Sequence, residues 1–196
     1  MILKTTVFRN NDNPPIKQLV QLLNKAFKER KDEGINFSYT SYSIEDLREH
    51  VGDGYYIVAY DDNDNIVGMV TLIKKKRMGI RYTTHECLAV DPNIKNKGVA
   101  TIMFQSFKEL AVKLNSSFII SSTAEKAYSS IRYHCKNGFK KFLYVSFPNT
   151  DYYSYGFVLP LKKRFYFMKS RLFYIPTLWV SYIYTKLFKR EKKAKN

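Results

Sequence analysis

Lys95, Lys97, Gly98 and Ala100 stand together where an apolar run ends and a helical pattern begins. The run is Leu88-Ala89-Val90, closed by Asp91-Pro92, and the loop is Lys95-Asn96-Lys97-Gly98-Val99-Ala100. The chemistry this spacing offers is anion binding. Backbone N–H groups in the first turn of a helix lack intrahelical acceptors, and the helix dipole places partial positive charge beside them. Gly98 lets the backbone approach a ligand, and Ala100 adds almost no bulk. A diphosphate fits such a cradle. No metal is expected. Cys87 and Cys135 both fall within apolar elements. That usage suits a reducing compartment, the cytoplasm, and argues against a disulfide framework. The start, Met1-Ile2-Leu3-Lys4-Thr5, lacks a signal-peptide pattern.

The elements that must hold this loop alternate between strand and helix. Ile2 to Arg9 reads as a strand. After Pro14-Pro15, Ile16, Leu19, Val20, Leu23 and Phe27 recur at helical spacing. Ser43-Ile44-Glu45-Asp46 predicts a capped helix start. Tyr55 to Tyr60 and Asn65 to Ile73 form strands around the turn Asp61-Asp62-Asn63-Asp64. Arg81 to Val90 is the strand that feeds the loop. Val99, Met103, Phe107, Leu110 and Leu114 mark one face of the helix that leaves it. Phe118 to Ser122 is a short buried strand. Ala127 to Asn137 is helical, with Gly138 as its stop. Phe139 to Ser146 and Tyr152 to Leu159 complete the strands.

A chain of 196 residues buries one good core. Its net charge of +16 is concentrated at the end, where Glu191 alone opposes the lysines and arginines from Lys162 to Lys195. Leu172 to Phe188 is almost free of charge and is interrupted by Pro176. A helix starting at Pro176 would carry a narrow polar stripe of Thr177, Ser181, Thr185 and Lys189, with apolar and aromatic residues around the rest. Such a segment sits at the short limit for spanning a bilayer, which takes about 20 residues. It fits an interfacial helix on an anionic membrane, or a helix packed on its own domain or on a second copy in a homodimer.

A second motif follows the fifth strand: Ser130-Ile131-Arg132-Tyr133-His134-Cys135-Lys136-Asn137-Gly138-Phe139. With the loop, in this order and in this strand–helix context, it resembles the GNAT superfamily of acetyl-CoA-dependent N-acyltransferases. That family's phosphate loop reads Gln/Arg-x-x-Gly-x-Gly/Ala, and here Lys95 takes the first position. The resemblance implies an α+β (α/β) fold. It has a mixed, mostly antiparallel sheet of about seven strands, the fourth and fifth splayed, about four flanking helices and a C-terminal helical tail. It implies an acetyltransferase domain over 1–160 and a basic, aromatic extension over 161–196.

What the resemblance implies chemically is direct acetyl transfer in a ternary complex. The coenzyme A pyrophosphate would rest on Lys97 to Ala100, including Val99, with Lys95, Asn96 and Lys97 beside it. The pantetheine arm would pair with the backbone of Leu88, Ala89 and Val90, and the N–H of Val90 or a neighbour would polarise the thioester carbonyl. Glu86 is the candidate general base, or a partner of a Lys or Arg. His85 points to the opposite face and reads as a packed core histidine. The general acid is His134, four residues before Gly138, or Tyr133 if the helix end carries a bulge. Ala127 stands where the family often has Asn, and Ser121 and Ser122 could replace part of its hydrogen bonding. An acyl-cysteine route through Cys87 or Cys135 is the disfavoured alternative.

The acceptor cleft of the family would be lined here by Asp32, Glu33, Tyr39, Tyr42, Glu45, Asp46, Glu49, Tyr152, Tyr153 and Tyr155. Carboxylates can hold a cationic amine, and aromatic rings cover cations or stack on sugars. The expected reaction is transfer of an acetyl, or other short acyl, group to a primary amine on a small molecule, an amino sugar or glycan precursor being the preferred class. Protein, peptide or aminoacyl-tRNA amines are the alternative acceptors. A non-catalytic protein binding coenzyme A, a membrane or nucleic acid is the alternative of another class. Nucleic acid is the disfavoured partner, because the tail's aromatics are not interleaved with its basic residues.

Overall fold

The computed structural model describes residues 2–32, 35, 37–147, 150 and 152–194, without the side chains of 30–32, 38 and 188–194. Its seven strands and five α-helices make a mixed α/β fold, and within each of two compact units, Met1–Ser116 and Ser117–Asn196, the strand pairs are antiparallel.

The first unit holds β1 (Lys4–Arg9), α1 (Ile16–Asp32), α2 (Ile44–Val51), β2 (Tyr55–Tyr60), β3 (Ile66–Arg77), β4 (Ile80–Val90) and α3 (Val99–Lys113). The four strands form a meander in sequence order. Its core is built where the helical period of α1 and α2 meets the strand period. Leu19, Leu23, Leu47 and Val51 pack with Tyr56, Val58, Met69, Cys87 and Ala89. The capped start of α2 is present. Asp46 N–H donates to Ser43 Oγ (3.0 Å), and Ser43 N–H donates to Asp46 Oδ2 (2.8 Å). Asp61 closes the β2–β3 turn by accepting from the Asn63 and Asn65 N–H groups at 2.9 Å each.

β3 runs on past Ile73, through Lys74, Lys75 and Lys76 to Arg77. Those basic residues pair with Thr83, Tyr82, Arg81 and Ile80 in a hairpin turned by Met78 and Gly79, both at positive φ. On the other side of β3, Gly68 sets the seat of α3. A Cβ there would lie 2.7 Å from Val99 Cγ1 and 2.8 Å from Met103 Cε. The bare backbone therefore lets the first turns of α3 rest against β3.

The second unit holds β5 (Phe118–Ala124), α4 (Tyr128–Lys136), β6 (Lys140–Val145), β7 (Ser154–Pro160) and α5 (Arg171–Ala194). β7 pairs with both β5 and β6. Gly138, at φ +85, stops α4 as its sequence predicts. The tail helix starts five residues before Pro176. The Phe173 and Tyr174 N–H groups bond to the Ser170 carbonyl and begin the helix there. Pro176 lies only in its second turn, where a missing N–H costs one bond, and Thr177 Oγ1 donates to the Phe173 carbonyl at 2.6 Å.

Candidate active site

β4 delivers the chain into the loop at Val90. The Asp91 N–H bonds to the Val67 carbonyl (2.9 Å), and Asp91 Oδ1 accepts from the Asn93 N–H (2.9 Å). Lys25 Nζ lies 3.0 Å from Asp91 Oδ2. Burial works to raise the Asp91 carboxyl, but the bonds from Asn93 and Lys25 outweigh it and hold it below its ordinary value. Two residues then adopt left-handed backbone, Asn96 at φ +65 and Gly98 at φ +85. Gly98 is the N-cap of α3. No side chain caps that end, and its first turn holds no acidic residue.

This arrangement meets the needs of a diphosphate. The N-terminus of α3, the positive end of its dipole, opens directly from this loop. A Cβ on Gly98 would meet nothing within 4 Å, so glycine serves here for its backbone angle and leaves the approach open. The two lysines of the loop differ. Lys95 pairs with Glu29 of α1, so its charge is already countered, while Lys97 is exposed.

Upstream, β4 carries a bulge. Glu86 faces Thr71 and Ala89 faces Met69, so Cys87 and Leu88 together oppose Val70. Cys87 takes φ +50, an uncommon angle for a residue with a Cβ, and its side chain is in the core. The bulge interrupts strand alternation just before Leu88, Ala89 and Val90, the stretch expected to hold the pantetheine arm. Both cysteines are free thiols. His85 packs edge-on against Phe107 of α3 at 4.9 Å, as expected of a core histidine.

Glu86 is paired, and its partner is His50 of α2, a residue the sequence reading passed over. His50 Nε2 lies 3.1 Å from Glu86 Oε2, off the line of a hydrogen bond. Interactions with Cys87 and then Glu86 raise the imidazole from 6.5 to about 10, so it is charged. Burial works to raise the Glu86 carboxyl, but the neighbouring His50 and Thr84 side chains bring it below its ordinary value. Tyr39 and Tyr42 stand edge-on to His50, each with its ring centroid 5.9 Å away. Burial raises the Tyr39 hydroxyl well above its usual range. One signal for His50 existed: it follows Leu47 by three residues on the buried side of a helix whose start is capped.

Of the other acceptor candidates, Glu45 and Glu49 are exposed and Asp46 is engaged in the α2 cap. Glu33 and the side chain of Asp32 lie outside the described residues. In the second unit, Tyr153 stacks on Tyr144 at 5.1 Å and is covered by Lys186 Nζ at 4.1 Å. Lys141 Nζ lies 4.1 Å over Tyr155. These two rings thus already carry cations of the chain itself.

His134 of α4 is buried. Nδ1 is 2.7 Å from the Ser130 carbonyl, Nε2 is 2.8 Å from Ser121 Oγ, and the ring stacks on Phe157 at 4.6 Å. Burial pulls its pKa down to about 4, so the ring is neutral. A carbonyl can only accept, so Nδ1 carries the proton and Nε2 accepts from the Ser121 hydroxyl. In that tautomer the ring proton sits on Nδ1 against the Ser130 carbonyl, and Nε2 carries none. Tyr133 sits edge-on to His134 at 5.3 Å, and burial holds its hydroxyl well above the usual range. The helix is regular there, with the Asn137 N–H on the Tyr133 carbonyl at 3.1 Å, so the expected bulge is absent at this bond. Ser122 is exposed on β5, and Ala127 begins α4 with no side-chain cap. Among the described residues no group of three or more His, Cys, Asp or Glu is placed to hold a metal ion.

A strand that feeds a glycine-led helix start, on a fold of this strand and helix order, is the build expected of an acyl-coenzyme A-dependent transferase. The sequence agrees: residues 16–139 match the profile of the Acetyltransferase (GNAT) family, and the chain belongs to that family. Similar solved structures include the NatC complex bound to Gag peptide and CoA, at 15% identity and TM-score 0.66, covering 83% of this chain and 100% of that one. Another is yncA of Salmonella typhimurium with its cofactor acetyl-CoA, at 14% identity and TM-score 0.63, covering 83% and 96%. A third is the spermidine/spermine N-acetyltransferase SpeG of Vibrio cholerae, at 16% identity and TM-score 0.58, covering 81% and 95%. Among curated proteins none matches the sequence significantly.

Proposed function

We propose that this chain moves an acetyl group from acetyl-CoA to a primary amine of a small molecule, an amino sugar or glycan precursor, in the cytoplasm. The observation that carries the reading is the paired carboxylate on β4, set on the strand that leads straight into the coenzyme loop. Leu88, Ala89 and Val90 receive the pantetheine arm, and Lys97, Gly98, Val99 and Ala100 receive the pyrophosphate. Asn96 shapes the turn, Lys95 braces it through Glu29, and Ser122 offers a free hydroxyl on β5.

In the reaction the amine nitrogen bonds to the thioester carbon, and the carbon–sulfur bond breaks. Glu86 takes the proton that the amine loses. His50 is a positioning residue: its charge keeps Glu86 ionised and fixes which oxygen faces the amine. Tyr133, in regular helix rather than at a bulge, is assigned the proton for the departing thiolate, because it keeps its O–H where the one ring proton of His134 is held on Nδ1 by the Ser130 carbonyl. His134 holds α4 to β5 through Ser121. Tyr39 and Tyr42 offer ring surface beside the carboxylate, which favours a cationic amine carried on a ring.

A panel of amino sugars, polyamines, amino acids and peptides, assayed for coenzyme A release, tests this. Amino sugars should turn over fastest. Faster turnover of peptides or polyamines would replace the acceptor class, and no release with any amine would refute catalysis itself.

A further inference from the structure

Helix α5 is amphipathic in the reverse sense. Its polar stripe faces the protein and its apolar face does not. Ser181 Oγ accepts from the Tyr144 N–H (2.8 Å), and Thr185 Oγ1 donates to the Tyr144 carbonyl (2.8 Å). The two hydroxyls satisfy both backbone groups of one residue of β6, the outer strand of its unit, as a further strand would. Thr185 is 9% exposed. At 100° per residue, positions two away from this stripe lie on the far side of the helix. There Trp179 is 61% exposed, Ile183 53% and Leu187 58%, with Val180 and Leu172 beside them at 67% and 88%. An open apolar face of this extent marks a docking surface.

We infer that this face docks on an anionic membrane surface, an inference independent of the acetyl-transfer reading. Charge decides the occupant. From Leu161 onward there are eleven lysines and arginines against Glu191 alone, and Lys163, Arg164, Lys169 and Arg171 are exposed before or at the start of the helix. A second copy would bring the same positive charge against this face, whereas acidic headgroups complement it. The face is a single helix surface that carries Trp179, with Tyr184 at its border, which suits the boundary between headgroups and acyl chains. Among the described residues no helix is long and apolar enough to cross a membrane, so the geometry is that of a helix lying flat.

Trp179 is the only tryptophan and reports on the face directly. The full chain should be mixed with vesicles of phosphatidylcholine alone, and with vesicles containing about a third phosphatidylglycerol. On the anionic vesicles, Trp179 emission should shift to the blue and be quenched by brominated acyl chains. Co-sedimentation should rise by at least about tenfold over phosphatidylcholine and weaken with salt. The double variant Ile183→Glu/Leu187→Glu should lose this binding with its circular dichroism unchanged, since both side chains are largely exposed. Equal binding to both vesicle types, or binding to neither, would overturn the inference. So would a lipid-free dimer in light scattering, or salt-sensitive RNA binding, that the same double variant abolishes.

Discussion

Replacing Glu86 with glutamine keeps the shape of the side chain and removes the charge that faces His50. The imidazole pKa is raised from 6.5 to about 10 in the folded chain. Its contribution is therefore fully present below about pH 6.5 and is lost as pH rises through about 10. Glu86 works the other way. Its folded pKa is lowered from 4.5, so its contribution is present above 4.5 and is lost as pH falls through the lowered value. Stability owed to the pair should peak between the two unperturbed values. One pKa unit is worth about 1.4 kcal/mol, so the full His50 shift sets an upper bound near 5 kcal/mol. Cys87 is the larger cause of that shift and the side chains remain 21% and 27% exposed, so the share owed to Glu86 is about 1–2 kcal/mol. Urea unfolding near pH 6 should show Glu86→Gln less stable by roughly that amount, and the gap should close towards pH 10. Turnover should fall by about 10²–10⁴-fold with little change in acetyl-CoA affinity. A stability gap that stays constant across pH would refute the charge pair. Unchanged turnover would remove Glu86 as the proton acceptor.

Gly98→Val forces a β-branched residue to φ +85; it should cost about 1–3 kcal/mol in unfolding experiments and abolish acetyl-CoA binding in calorimetry. Tyr133→Phe should lower kcat by about 10²-fold or more with the melting temperature unchanged. His134→Ala should instead destabilise the fold by about 2–4 kcal/mol, since it leaves the buried Ser121 hydroxyl and the Phe157 ring face without their partner. An acid role for His134 would be recognised by a large kcat loss in a variant that still melts normally. Thr185→Val should cost about 1–2 kcal/mol and speed amide exchange in β6, while protection as in the unaltered chain would show that the α5 hydroxyls do not hold this edge.

What could be read in the chain, and what could not, divides along a physical line. Features that depend on local backbone preference were legible: the capped start at Ser43, the turn at Asp61, the stop at Gly138 and the glycine that opens α3. Each is a short-range interaction between neighbours in sequence. Features that depend on which side chain meets which were not. Lys95 looked like a charge for the ligand, yet Glu29, a turn from the end of α1, takes it up. The left-handed angle of Cys87 has no local cause, because only the register against β3 creates the bulge. His50 gave a faint signal through helix phase, but its charge follows from Glu86 and Cys87, which are distant in sequence. The tail shows the same limit most clearly. A stripe of Thr177, Ser181 and Thr185 on an apolar helix reads as the side that meets water. An outer strand reverses that assignment, because the outward N–H and C=O of Tyr144 take their partners from the Ser181 and Thr185 hydroxyls. The apolar face is left outward as a consequence of satisfying the strand. The membrane inference therefore rests on a backbone hydrogen-bond requirement in β6 before it rests on any property of the helix alone.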